Sequence, residues 1–340
     1  MRIAVDVMGS DNYPLPDIEG AIQAAREYGD EVLLVGDQST IEATLSKFDV
    51  NGLKLTIIHA EEVVTMHDKP GAVGKSKPNS SMHVGMNLIN SGDAQAFVTA
   101  GNTGAALTIA MLFTLRRIPG VKRPALSSII KVRGHQVILV DIGANTDSKP
   151  EWMAQFALMG DIYARKALGL QNPRIALLSN GEEEEKGNQA IRETHEILST
   201  YPQLNFVGNV EPKEVLSDQA DVVVSDGFTG NIVVKAFEAF GNALSGLIRE
   251  ELTRDPVSML GGLLAKRAFN RVSKQIDPFE IGGAPLLGVN GVVIIGHGRS
   301  NARAIKNAIG QARLAVTGNI VQAIHDGLNV SQSMREDTAE

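Results

Sequence analysis

The chain has 340 residues, 43% of them hydrophobic and 21% charged, with 34 glycines and few aromatics, as expected of a soluble α/β protein with a sizeable core. Its net charge of −7 argues against a general nucleic-acid binder, which needs a basic surface. With no cysteine it has no disulfides, no thiolate metal site and no cysteine nucleophile, and it fits a reducing cytoplasm.

In chain order, a charged residue follows Met1 and a strand pattern begins at once over 3–7, so no signal peptide is expected. A helix at 17–28, a strand at 32–35, a helix at 40–48 and a strand at 55–58 follow. The stretch 94–115 carries no charge over 22 residues, long enough to span a bilayer. It contains Thr99-Ala100-Gly101-Asn102-Thr103-Gly104, however, whose polar groups would go unsatisfied in lipid. It therefore reads as a strand at 96–99, a turn and a buried helix at 103–115. Strands at 127–131 and 137–140 flank Val132-Arg133-Gly134-His135-Gln136, a glycine turn that predicts a hairpin and hence a mixed sheet. Beyond lie helix 151–168, strand 175–178, helix 188–199, strand 222–224, helix 229–252, strand 292–295 and helix 300–325. The alternation predicts one domain over 1–330, in two intertwined parts (1–145 with 285–330, and 146–284), and a flexible polar tail at 331–340.

Six of these strands end in clusters of glycine and small polar residues. They are Asp6-Val7-Met8-Gly9-Ser10-Asp11-Asn12, the Thr99–Gly104 turn, Asp141-Ile142-Gly143-Ala144-Asn145-Thr146 and Ser179-Asn180-Gly181-Glu182. The last two are Ser225-Asp226-Gly227-Phe228-Thr229-Gly230-Asn231 and Gly296-His297-Gly298-Arg299-Ser300-Asn301. Any one of them is a turn or cap. Six together predict an oxyanion or phosphate site, because α/β sheets bind ligands beyond strand carboxyl ends and helix N-termini present unpaired N–H groups. The expected lining is Asp6, Gly9, Gly101, Asn102, Thr103, Asn145, Asn180, Asn188, Asp226, Gly227, Thr229, Gly230 and Ser300.

Nucleotide and metal motifs fail. Gly71-Ala72-Val73-Gly74-Lys75-Ser76 has Lys69 where a P-loop needs its first glycine, and no G-x-G-x-x-G closes the first strand. The seven histidines are scattered, so neither a metal nor a cofactor is expected. Glu182-Glu183-Glu184-Glu185-Lys186 reads as the acidic start of a helix, in which Lys186 is the misplaced cation that a glutamate or bound phosphate would compensate.

These clusters, with Gly282-Gly283-Ala284-Pro285-Leu286-Leu287-Gly288, Lys186-Gly187-Asn188 and Ser300-Asn301-Ala302-Arg303, resemble the phosphate acyltransferase family of bacterial phospholipid synthesis, in order from residue 2 to about 325. Ser10 stands where the family usually has glycine, and Ile281 where it usually has an aromatic. Gly74-Lys75-Ser76-Lys77 is less basic than the family's usual run. The resemblance implies a three-layer α/β/α sandwich on a mixed, largely parallel sheet, like phosphotransacetylases and isocitrate/isopropylmalate dehydrogenases, and a homodimer. It implies acyl transfer from acyl carrier protein to inorganic phosphate, ahead of a glycerol-3-phosphate acyltransferase, with Lys186 and Asn231 in the active site. A short-chain phosphotransacetylase using coenzyme A is the alternative.

Phosphate can attack a thioester without a strong base, so position and oxyanion stabilisation are what the protein must supply. Lys186 and backbone N–H groups around Gly101, Gly227 and Gly230 are expected to hold phosphate. Asn231 is expected to hold phosphate or polarise the thioester carbonyl. His297 is either the proton donor to sulfur or a histidine bonded to backbone at a helix entry. Finally, the segment 252–276 carries +4. A break at Gly261-Gly262 would leave Met259, Leu260 and Leu263 at an apolar tip. Beyond it, Leu264, Ala265, Ala268, Phe269 and Val272 share one helical arc and Lys266, Arg267, Arg271 and Lys274 the other. Such an arm can attach peripherally to an anionic membrane, dock an acidic carrier protein or pack a dimer.

Overall fold

The computed structural model describes residues 1–132 and 134–337. Its strands are β1 (Arg2–Asp6), β2 (Glu31–Gly36), β3 (Leu55–His59), β4 (Ala96–Thr99), β5 (Ala125–Val132) and β6 (His135–Val140), then β7 (Arg174–Leu178), β8 (Asn205–Val210), β9 (Val222–Val224), β10 (Gly283–Leu287) and β11 (Val292–Gly296). They form one sheet in the order β3-β2-β1-β4-β11-β10-β5-β6-β9-β7-β8.

The run β3 to β11 is parallel throughout. Antiparallel pairings of β10 with β11 and β5, and of β5 with β6, reverse the direction, and β6, β9, β7 and β8 are parallel again. The two parallel runs therefore point opposite ways. From β1 to β9 lie six places in the order. At roughly 20–25° of twist per strand these accumulate about 130°, which swings the carboxyl ends of the second run back towards those of the first. An ion pair from Arg299, just after β11, reaches Glu238 at 3.3 Å.

Successive strand residues enter cores on opposite faces. Ile3, Val5, Val98, Ile294 and Val222 go one way, and Ala4, Phe97, Val293 and Val223 the other. The first core is closed by α1 (Leu15–Tyr28), α6 (Pro150–Leu168), α7 (Gln189–Ser199), α10 (Ala302–Thr317) and α11 (Ile320–Asp337). The second is closed by α4 (Ser81–Asn90), by α5 (Thr103–Thr108) with the π-turn Ile109–Phe113 that continues it, and by the start of α8 (Gly227–Leu252). The result is the expected three layers.

Several boundaries differ from expectation for local reasons. β8 contains Gly208 at φ 95° and polar residues, and β10 contains Pro285, so neither has the β-branched run of a buried strand. α2 (Gln38–Leu45) is capped by Asp37, and α3 (Pro70–Ser76) and α4, which follow Lys69 and the capping Ser80, lie where no element was expected. The helix expected over 300–325 is two, because the chain turns at Gly318 and Asn319, and a Cβ on Gly318 would lie 2.5 Å from Lys166 O. The tail expected to fray continues α11 as helix to Asp337, and 338–340 lie outside the described residues. The hairpin between β5 and β6 turns at Gly134 (φ 84°), beside Arg133, also outside the described residues.

The expected arm is a helical hairpin, but its turn is elsewhere. α8 stops at Leu252 and α9 (Pro256–Ile276) runs without a break through Gly261-Gly262. Asp255 starts α9 by accepting from the Val257 and Ser258 N–H groups at 2.9 Å each, with Pro256 at the first helical position. A Cβ on Gly262 would make ordinary contact with Leu252, 3.4 Å from its Cβ, so this face of α9 packs against the end of α8 without requiring glycine. Ser258, Gly262, Ala265 and Phe269 form the half-buried face of α9. Met259, Leu260, Leu263, Leu264 and Val272 remain exposed, as do Lys266, Arg267 and Arg271. The side chain of Lys274 lies outside the described residues.

Candidate active site

Each wall of the cleft is organised by a buried aspartate at a strand end. In the first run, Asp6 accepts from Met8 N–H at 3.1 Å and Thr99 Oγ1 at 2.8 Å, and Thr99 Oγ1 accepts from Gly101 N–H at 3.0 Å. Gly9 and Gly101 let these loops touch, since a Cβ on Gly9 would stand 2.9 Å from Gly101 N. Asp6 thus acts from beneath the surface. Ser10 donates to Asp17 at 2.5 Å, and Asp17 is pushed up to about 7, by burial first and then by the neighbouring Asp6 charge.

Asn102 caps α5 by accepting from Ala105 N–H at 3.0 Å, and its Nδ2 reaches the carbonyls of Thr65, Met66 and Asp68. It pins the 65–68 loop to the start of α5, and Thr103 beside it is exposed. His297 is exposed, while the buried Ser300 closes the turn by donating to the His297 carbonyl at 2.5 Å. Asn301, not Ser300, caps α10.

In the second run, Asp141 is fully buried and takes five hydrogen bonds: from Leu126, Gly143 and Ala144 N–H on Oδ1, and from Asn145 N–H and Nδ2 on Oδ2. Burial pushes its carboxyl up, against those hydrogen bonds. Sequence reasoning passed over Asp141, although Asp141-Ile142-Gly143 repeats the strand-end aspartate and nearby glycine of Asp6-Val7-Met8-Gly9. The Asn145 carbonyl accepts from Gly227 N–H at 2.8 Å, tying this loop to the start of α8. There Asp226 caps Thr229 N–H at 2.8 Å and takes the Thr229 hydroxyl at 2.8 Å. A Cβ on Gly230 would fall 2.0 Å from Asp141 O, so only glycine fits.

The N–H groups expected around Gly101, Gly227 and Gly230 to hold phosphate do not include those of the three glycines themselves. Their hydrogens go to Thr99 Oγ1, Asn145 O and Asp226 O. What remains free is sparser. Asn231 Nδ2 donates one hydrogen to Ile142 O at 2.9 Å and keeps a second. The first-turn Phe228 N–H has no intrahelical acceptor.

Lys186 also lies elsewhere than expected. α7 begins at Gln189 with Asn188 as its cap, accepting from Ile191 N–H at 3.0 Å, so Lys186 and the four glutamates sit in the preceding loop, off the helix. Asn180 closes that loop by accepting from Gly187 N–H at 2.9 Å. The Lys186 stem lies over Gly181, where a Cβ would be 2.6 Å from Lys186 Cγ. Its ammonium is exposed and forms no ion pair with any described carboxylate. Of the nearby acids, Glu182 joins Glu211 and Glu214 within 4.8 Å of one another, and Lys213 occupies that cluster at 2.6 Å from Glu211. Because β9 pairs in parallel with both β6 and β7, the loops bearing Asn145, Asn231 and Lys186 leave one sheet edge together. His297, Asn102 and Gly9 belong to the other wall.

This architecture is shared with solved structures. A phosphotransacetylase from Streptococcus pyogenes aligns over 95% of this chain and 94% of its own at TM-score 0.60 and 19% identity. A branched-chain phosphotransacylase from Enterococcus faecalis V583 aligns over 93% and 99% at 0.55 and 13%. The protein thus has the phosphotransacetylase-like fold. A family described as "Fatty acid synthesis protein" matches residues 1–323. The "Phosphate acyltransferase" of Syntrophotalea carbinolica is 46% identical over 318 residues, 94% of this chain and 91% of the relative. That of Trichlorobacter lovleyi is 44% identical over 97% of this chain and 95% of its own. The chain belongs to the phosphate acyltransferase family of fatty acid and phospholipid synthesis, and it is an acyltransferase that uses phosphate.

Proposed function

We propose that the chain transfers a long-chain acyl group from an acyl-carrier-protein thioester to inorganic phosphate, releasing acyl phosphate and the carrier thiol. The observation that carries this reading is the Lys186 ammonium, unpaired with any described carboxylate, on a loop that leaves the same sheet edge as the N-terminus of the 26-residue α8, because β7 and β9 are parallel neighbours. That edge offers a dianion both a cation and a helix N-terminus. Lys186 holds phosphate, the second Asn231 amide hydrogen orients it or the thioester carbonyl, and the first turn of α8 adds its dipole. A phosphate oxygen attacks the carbonyl directly. The thiolate leaves on collapse of the tetrahedral intermediate, and a thiol with pKa of about 8.5 needs little help to do so. His297 stands on the opposite wall as a candidate proton donor to sulfur. With no cysteine and no nucleophile elbow, transfer needs no acyl-enzyme.

The protein is incubated with phosphate and either long-chain acyl carrier protein or acetyl coenzyme A, and acyl phosphate is trapped with hydroxylamine. Hydroxamate from the carrier thioester, with no acylated protein by mass spectrometry when phosphate is omitted, is the expected result. Turnover of acetyl coenzyme A alone would assign a short-chain phosphotransacetylase. A stoichiometric adduct discharged by phosphate would overturn direct attack.

We also propose that the protein works as a homodimer and attaches reversibly to an anionic membrane through the α8–α9 hairpin, handing its product to a glycerol-3-phosphate acyltransferase there. The support is the apolar surface that the hairpin exposes, with Phe240 at 70%, Val257 at 81% and Leu264 at 80% exposure, flanked by Lys266, Arg267 and Arg271. None of the described helices is long and apolar enough to cross a membrane.

A further inference from the structure

A second cationic surface lies at the sheet edge that carries Lys186 and Asn231. The segment Arg116-Arg117-Ile118-Pro119-Gly120-Val121-Lys122-Arg123 holds four cations and no carboxylate, and Lys149 joins it from the start of α6. Topology puts them there, because β5 begins at Ala125, beside the end of antiparallel β6. Asn145 makes the physical link, with Nδ2 donating to Pro124 O at 2.8 Å and its carbonyl receiving Gly227 N–H.

The loop is held on α6 and presents its charges outward. Lys122 N–H donates to Gln155 Oε1 at 2.7 Å, and Gln155 Nε2 donates to Gly120 O at 3.0 Å. The Arg123 guanidinium lies 4.9 Å from the centre of the Trp152 ring, and Lys149 Nζ 5.9 Å. All five cations are exposed, and none forms an ion pair with a described carboxylate. Asp147 and Glu151 are the acids of the adjoining loop, so five cations against two carboxylates leave +3 on a chain of −7. Leu112, 52% exposed, adds an apolar spot where its carbonyl takes the Arg116 guanidinium.

Like charges gathered on an otherwise acidic protein repel one another, and an acidic partner removes that cost while gaining on-rate. Inorganic phosphate is too small to need so wide a surface. We propose that the 116–123 loop and Lys149 dock the acidic carrier protein that delivers the acyl thioester, an inference that rests on the carrier-thioester reading above. The carrier then sits on the rim while its thioester arm enters beside Asn145. Carrier docking is thereby separated from α9.

The test is K122E/K149E, whose two side chains make no hydrogen bond to a described residue, with R123E as a second variant. Turnover is measured on long-chain acyl carrier protein and on the same acyl group as a pantetheine thioester. For K122E/K149E we expect KM for the carrier thioester to rise roughly tenfold and its salt dependence to flatten, as for rim charges that govern encounter. Its kcat, and all turnover of the pantetheine thioester, should stay at the parental level. Parental KM on the carrier thioester in both variants would overturn the proposal, and so would equal losses on both substrates. Carrier turnover unchanged, with binding of the parent to phosphatidylglycerol vesicles abolished in the double variant, would assign the rim to a membrane instead. If the parent turns over pantetheine thioester but not carrier thioester, the reading under Proposed function fails, and the docking surface with it.

Discussion

Asp141→Asn tests whether one buried carboxylate organises the Lys186 and Asn231 wall. The two Asp141 oxygens serve five N–H donors, three on Oδ1 and two on Oδ2. An asparagine keeps the shape but has a single acceptor oxygen. Turned to keep Leu126, Gly143 and Ala144, it aims its NH2 at the Asn145 N–H and Nδ2, donor against donor. Two unpaired donors cost about 1–3 kcal/mol each, roughly 2–6 kcal/mol together. A neutral amide escapes the burial that pushes the carboxyl up, so the low end applies, about 2–3 kcal/mol. At roughly 2 °C per kcal/mol for a chain of this size, Tm should fall by about 5 °C in a circular-dichroism melt at pH 7. The Asn145–Gly227 tie should loosen with it and raise KM for phosphate. A Tm within about 1 °C of the parent, well inside that expected shift, would refute the reasoning.

Lys186→Ala should keep the parental melting curve while losing a charge-assisted contact of about 1.5–3 kcal/mol, roughly 10- to 100-fold in kcat/KM for phosphate; a phosphate titration with parental parameters removes Lys186 from the site. Asn231→Ala should lose activity similarly, and a drop in Tm alone would make Asn231 a loop tie. The Asp17 carboxyl is held up to about 7 when folded, against 3.8 ordinarily, so its contribution to stability is present below pH 3.8 and is lost as pH rises through about 7. Asp17→Asn should therefore gain stability relative to the parent at pH 8 and not at pH 4, read from urea midpoints; parallel pH profiles would contradict this. L260E and L264E should stop flotation with anionic vesicles without changing the dimer on sizing; unchanged flotation removes the hairpin as anchor, and monomers would make it a dimer contact.

The layered fold was legible because its buried strands are short β-branched runs whose neighbours alternate between two cores. β8 and β10 were not, since Gly208 and Pro285 replace the usual signal with one that depends on neighbouring strands. The six clusters do follow the carboxyl ends of strands, but composition does not reveal which N–H groups are already spent. Gly227 and Gly230 turned out to serve close backbone approach, and Gly101 to leave room for Met82. Asn102, Asp226 and Asn188 turned out to cap helices. Gly261-Gly262 read as a break because a glycine pair weakens a lone helix, whereas here the pair lies inside a helix that Asp255 caps and that packs along α8.

The 26-residue α8 joins two places with nothing else in common. Asn231 lies in its first turns, half-buried against Ile142, while Leu247 near its far end is 60% exposed. Sixteen positions apart at 1.5 Å per residue, the two are about 24 Å from each other on one rod. A helix is stiff along its axis, so whatever grips the far end holds the near end at a set distance and angle. The hairpin is thus a lever with its fulcrum at the Asp226 cap, and a load on it bears on the Gly227–Asn145 tie.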